Sequence, residues 1–145
     1  MIKNLATNIS KGLKWTFFIH FLVTLFFGVV FSMLVDFYLE IIGWPVIYFD
    51  PITLQLFGFT FYAFALSSFI AWKETEWEKV KTIVIMEIAW FMGGVYVMFW
   101  SLYWHLQSPF PLPPMGWIYL IIFSAFLITF LVFYIHHEKK RKQSG

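Results

Sequence analysis

The chain contains no cysteine, which excludes disulfides, thiolate metal sites, iron–sulfur clusters and a cysteine nucleophile. Charge is also scarce: only 12% of the 145 residues are Asp, Glu, Lys or Arg. The stretches 36–52 and 105–115 contain no Lys or Arg at all, and in the stretches 15–35, 53–72, 82–104 and 116–135 the one charged side chain is Glu87. Catalytic signatures are missing too. There is no Walker loop, dinucleotide fingerprint or zincin pair, and no G-x-S-x-G turn surrounds Ser67, Ser68, Ser101 or Ser124. No cofactor is expected, and these absences weigh against an enzyme.

What the chain has instead is apolar surface. Hydrophobic residues make up 61%, and Phe, Trp and Tyr alone 24%. A soluble domain this small leaves too much surface exposed to hide such a load, so the bilayer is the solvent implied. These four stretches, uncharged apart from Glu87, each meet the roughly 20 residues a crossing helix needs. They are continuously apolar and lack the alternation of a barrel strand. The expected fold class is therefore an all-α integral membrane protein, a four-transmembrane-helix bundle over residues 15–135. Residues 1–14 place Ile2, Leu5, Ile9 and Leu13 at helical spacing among lysines, which predicts a short interfacial amphipathic segment. Residues 136–145 form a basic, polar tail, expected to be mobile and to attract anionic lipid.

The ten basic residues fall in three places: Lys3, Lys11 and Lys14; Lys73, Lys79 and Lys81; and Lys139, Lys140, Arg141 and Lys142. Four crossings put all three on one side, and the positive-inside rule makes that side cytoplasmic, with both termini in. The plasma membrane is the expected location. Lys3, Lys11 and Lys14 precede an apolar run too long for a signal peptide, so the first span is expected to stay in place. The basic residues hug the membrane, and nucleic acid is not an expected partner. The inner loop KETEWEKVK reads as a tight, solvated connection, and His136–His137 as part of the interfacial tail.

An ionisable group inside a span marks a partner, a wet path or a site. Glu87 and His20 each lie five residues inside their spans, roughly 8 Å below the cytoplasmic boundary at 1.5 Å per residue. Ser67 and Thr129 fall at a similar depth, so Glu87, His20, Ser67 and Thr129 are expected to share an intramembrane polar layer. The competing reading is that Glu87 and His20 snorkel toward water, since side chains tilt toward a helix N-terminus.

Small residues at helical spacing let helices approach closely. His20, Thr24, Gly28, Ser32 and Asp36 recur every four residues, as do Ala63, Ser67 and Ala71 in the second span. In the third, Gly93 and Gly94 are adjacent, and Glu87, Gly94 and Ser101 share a face. On the outer side, Asp36, Glu40, Asp50 and His105 are weak candidates for a metal, because their spacing matches no tight ligand motif. Aromatic residues crowd the third span, where Trp90, Phe91, Tyr96, Phe99, Trp100, Tyr103 and Trp104 lie.

These features favour an accessory or scaffold subunit of a larger membrane complex, with membrane lipid and other membrane-protein subunits, or further copies in a homo-oligomer, as partners. The first alternative is a small proton-coupled carrier or channel using Glu87 and His20. The second is a protein that binds or modifies a lipid or quinone-like ligand in an aromatic slot.

Overall fold

A computed structural model describes residues 8–41, 51–107 and 114–144. It is all-helical: α1 (Lys11–Met33), α2 (Val35–Ile41), α3 (Pro51–Lys73), α4 (Trp77–Leu106) and α5 (Pro114–Ser144). Four of these helices, α1, α3, α4 and α5, are long and apolar enough to cross a membrane. The chain divides into two compact units, Lys14–Lys73 and Met1–Leu13 with Glu74–Gly145.

In the first unit, the buried face of α1 carries Phe17, His20, Thr24 and Phe31, and α2 continues it with Val35 and Leu39. The chain bends at Leu34, yet helical bonds run through the bend from Leu34 N–H to the Val30 carbonyl (3.1 Å) and from Tyr38 N–H to the Leu34 carbonyl (2.9 Å). The opposing face of α3 buries Gly58, Phe61, Ala65, Ser68 and Ala71. Phe31 meets Phe57 and Phe61, Phe21 meets Phe69, and Phe18 meets Trp72. Gly58 is essential to this fit: a Cβ there would stand 2.7 Å from the Ser32 nitrogen and 2.9 Å from the Phe31 carbonyl carbon.

The ridge Ala63–Ser67–Ala71 does not make this contact as a whole. Ala63 is exposed and Ser67 half-buried, and only Ala71 is buried. A four-residue step advances a helix by about 40° beyond a full turn, so such a ridge winds off the contact. The stripe through Gly58, Phe61, Ala65 and Ser68 alternates steps of three and four and stays on one face. The same drift explains why His20, Thr24 and Gly28 are buried, Ser32 only half so, and Asp36 exposed.

In the second unit, α4 and α5 form an antiparallel hairpin. Phe91 packs against Phe123, Phe126 and Phe130. Gly94 lies so close under Phe123 that a Cβ would overlap its ring, whereas Gly93 faces open space. Among the described residues, Gly94 packs against a side chain and Gly93 does not.

Residues Asn8–Leu13 join this hairpin. Asn8 pairs with Glu76 in an isolated antiparallel bridge, and Ile9 N–H donates to the Thr75 carbonyl (2.9 Å). Ile9 and Leu13 are buried. Ser10 accepts from Leu13 N–H through its hydroxyl oxygen (3.3 Å), an N-cap that starts α1 at Lys11 rather than Trp15. Residues 1–7 of the expected amphipathic segment lie outside the described residues, and Asn8–Ser10 are not helical.

The basic tail departs from expectation as well, since α5 runs on to Ser144. Cations suit the negative end of a helix, and the Glu138–Arg141 pair spans one turn. Trp77 is fully buried at the start of α4, so the connection from α3 to α4 is not solvated throughout.

Candidate functional site

Each of the two units buries polar side chains, and charged groups meet at one end of the α4–α5 hairpin. In the unit Lys14–Lys73, His20 is 1% exposed, and its Nδ1 lies 2.7 Å from the Oγ of Ser68, itself fully buried. The neighbouring Thr24 hydroxyl donates to the His20 carbonyl (2.7 Å), which keeps this stretch of α1 polar without leaving a hydroxyl idle. Half a helix further along, Ser32 and Tyr62 share a hydrogen bond (3.0 Å), with the Tyr62 ring covering Gly28.

The expected layer partners Ser67 and Thr129 behave differently. Ser67 donates to the Phe64 carbonyl (2.9 Å) and Thr129 to the Ala125 carbonyl (2.7 Å), each on its own helix. Of two adjacent serines, it is Ser68 that meets His20. The signal available was the three-and-four stripe, on which Ser68 lies and Ser67 does not. Tyr62 carried no such signal.

In the other unit, Glu87 is fully buried on the face of α4 that also carries Trp77, Val80, Val84 and Phe91. The spacing of these residues follows one helical stripe. The Glu87 carboxyl is withdrawn from water rather than snorkelling to it.

The same unit carries the charged end of the α4–α5 hairpin. A span of 28 residues in α4, and another in α5, covers about 42 Å at 1.5 Å per residue. That exceeds the roughly 30 Å of hydrocarbon, so the charged ends, Trp77–Lys81 and His136–Gln143, project into the headgroup region and water. There the Glu138 carboxylate accepts from Lys81 (2.9 Å), Trp77 Nε1–H (3.0 Å) and Arg141 (2.7 Å). The Lys81 bond above all, with help from Trp77 and Arg141, holds the Glu138 carboxyl down at about 2. Arg141 also reaches Glu78 (3.6 Å).

His137 sits beside this group, 1% exposed, its ring stacked on Trp77 at 4.8 Å and 20°. It was expected in an interfacial tail. The antiparallel hairpin brings the end of α5 against the start of α4 and buries it there.

Of the weak metal candidates, the structure describes the side chains of Asp36 and Glu40 only. Asp36 and Glu40 are exposed on α2, while Asp50 and the side chain of His105 lie outside the described residues. Among the described residues no three His, Cys, Asp or Glu are grouped as a metal would need.

One surface remains. Along the C-terminal half of α4, Met92, Tyr96, Trp100 and Tyr103 are all more than half exposed, with Tyr96 the most at 67%. Tyr96 stacks on Trp100 (6.5 Å, 19°) and Trp100 on Tyr103 (6.1 Å, 29°). Exposed Gly93 adjoins them. Comparisons with protein-family models, curated proteins and solved structures returned no match.

Proposed function

We propose that this protein is an accessory subunit of a larger membrane assembly, docking through the C-terminal half of α4 onto a transmembrane helix of another subunit. The observation that carries the reading is Tyr96. It is 67% exposed and lies three residues past the midpoint of the 82–104 stretch, roughly 5 Å from the bilayer centre. Lipid tails offer its hydroxyl no hydrogen-bond partner, and a buried hydroxyl without one is costly. A neighbouring helix with an acceptor at that depth removes the cost. The open Gly93 beside Tyr96 lets that helix come close, and the stacked Tyr96–Trp100–Tyr103 row is stiff, with little freedom to lose on docking. With both termini on the cytoplasmic side, as the charge distribution favours, this face lies in the outer half of the membrane.

Purification from the native membrane in mild detergent, followed by mass spectrometry, tests the proposal. A fixed membrane-protein partner should co-purify, and Gly93→Leu should release it without lowering the thermal stability of the chain. Interhelical hydrogen bonds are worth about 0.6–2 kcal/mol, so Tyr96→Phe should weaken association by about threefold to thirtyfold. Recovery as a partner-free monomer, or only as copies of itself, would overturn the reading. A retained flat lipophile in place of a protein would favour a ligand-binding role for the same face.

A second reading rests on a different observation: two ionisable side chains, His20 and Glu87, are each buried within a span. Such groups carry protons in small transporters. A proton-coupled carrier would pass protons when reconstituted alone.

A further inference from the structure

The two ring nitrogens of His137 are both engaged, and by groups whose roles are fixed. Nδ1 lies 2.8 Å from the Phe133 carbonyl oxygen, which can only accept, so Nδ1 carries a hydrogen. Nε2 lies 3.1 Å from the Ser10 amide nitrogen, whose N–H can only donate, so Nε2 must be bare. The imidazole is therefore neutral, in its Nδ1–H form, whenever this arrangement stands. Adding a proton puts an N–H on Nε2 facing the Ser10 N–H. Two donors then oppose each other, and the bond cannot exist. The Phe133 bond is untouched, so α5 itself has no reason to unwind.

We propose that His137 is a proton-operated latch, which in its neutral form holds the segment Asn8–Leu13 on the charged end of the α4–α5 hairpin and releases that segment when it is protonated.

Two further polar bonds, away from α5, hold the segment. Ile9 N–H donates to the Thr75 carbonyl and Asn8 bridges to Glu76, both at the short link before α4. Ile9 and Leu13 supply apolar burial, and Gly12 rests against the Phe133 ring, where a Cβ would stand 2.8 Å from its Cζ. Ser10 touches α5 through a hydrogen bond, and it is also the cap of α1. Losing the bond strikes the start of a helix.

The surroundings set where the latch moves. Burial comes first in lowering the basicity of His137 from its ordinary 6.5, and the nearby charges of His136 and Lys140 lower it further, against a raising contribution from the Phe133 bond. From α4 the ring meets the neutral face of Trp77. Glu138, next in the chain, is committed to Lys81, Trp77 and Arg141. From the N-terminal segment comes the Ser10 amide, with Lys11 exposed beyond it. The docked state thus binds the proton less readily than the released state, in which His137 returns toward 6.5. Docking is therefore fully favourable above about 6.5 and weakens as pH falls below it.

The absence of cysteine gives a clean test. Spin labels on Asn8→Cys and Thr75→Cys, in the full chain reconstituted in lipid nanodiscs, report the distance across the docked segment. The expected result is dipolar broadening at pH 8 that is lost on titration to pH 5, a transition unchanged in His136→Gln. His137→Gln, a neutral side chain that still offers an acceptor, should keep the broadening at both pH values. A pH-independent signal in the parent, or the same transition in His137→Gln, would overturn the proposal. Hydrogen exchange at the Ser10 amide of the unsubstituted chain decides the matter without any variant. A latch requires its protection factor to drop across the same window, at least tenfold by pH 5, and constant protection would sink the idea.

Discussion

His20 and Ser68 face each other across α1 and α3 with 2.7 Å between Nδ1 and Oγ, both shielded from solvent. The pair ties a crossing helix to its neighbour by a polar bond, and it makes two adjacent serines unequal.

Removing the Ser68 hydroxyl deprives a buried histidine of this bond. Ser68→Ala should lower the unfolding free energy by about 1–3 kcal/mol, the range for breaking a buried hydrogen bond from one side. Ser67→Ala, which loses a bond to its own helix, should stay within about 0.5 kcal/mol. Denaturant unfolding in mixed micelles measures both, and equal losses would contradict the pairing.

Glycines should respond with opposite signs. Gly58→Ala drives a methyl into the backbone of Phe31 and Ser32, which cannot swing aside as a side-chain tip can. A loss of about 1–3 kcal/mol is expected, as for other overpacked sites. Gly93→Ala meets nothing and should gain up to about 1 kcal/mol from helix propensity. Thermal unfolding of the two variants in one detergent gives the comparison.

Acid should loosen the charged end of the hairpin in a defined window. Glu138 is held down at about 2, by Lys81 first. Because the folded carboxyl is depressed, its contribution is complete above the ordinary value of about 4.5 and disappears as pH falls toward 2. Unfolding followed from pH 6 to pH 2 should show a loss in the parent chain that Glu138→Gln lacks. Glu138→Gln removes this loss and His137→Gln does not, so the two titrations can be told apart.

Glu87→Gln distinguishes the two functional readings. In liposomes containing this protein alone, a carrier passes protons and the substitution abolishes the flux. An accessory subunit passes none with either side chain, and a pH-sensitive dye inside the vesicles reads the difference.

The number and type of the long helices were legible because length, apolar continuity and scarcity of charge act locally. What was not legible depends on rotation about a helix axis. The four-residue ridge through Ala63, Ser67 and Ala71 looked like a packing face, but the drift of such a ridge leaves Ala63 exposed. Which of Ser67 and Ser68 turns inward follows from the stripe that matches α1, a property of two helices together. Gly93 and Gly94 are indistinguishable in sequence and differ only because Phe123 lies over one of them. The burial of His137 was hidden for another reason: the basic residues around it read as a solvated tail, and only the hairpin register sets Trp77 against it. Ser10 as a helix cap was within reach of the sequence, since a serine before a helical run is a start signal.

The Lys81–Glu138–Arg141 group has one more consequence. It binds α4 to α5 where both helices leave the hydrocarbon, and its three charges are not readily dehydrated. Sinking the hairpin deeper would strip water from all of them. Raising it would lift the apolar surfaces of both helices into water. The group thus acts as a waterline, fixing how far the hairpin is immersed and with it the depths of Glu87 and Tyr96.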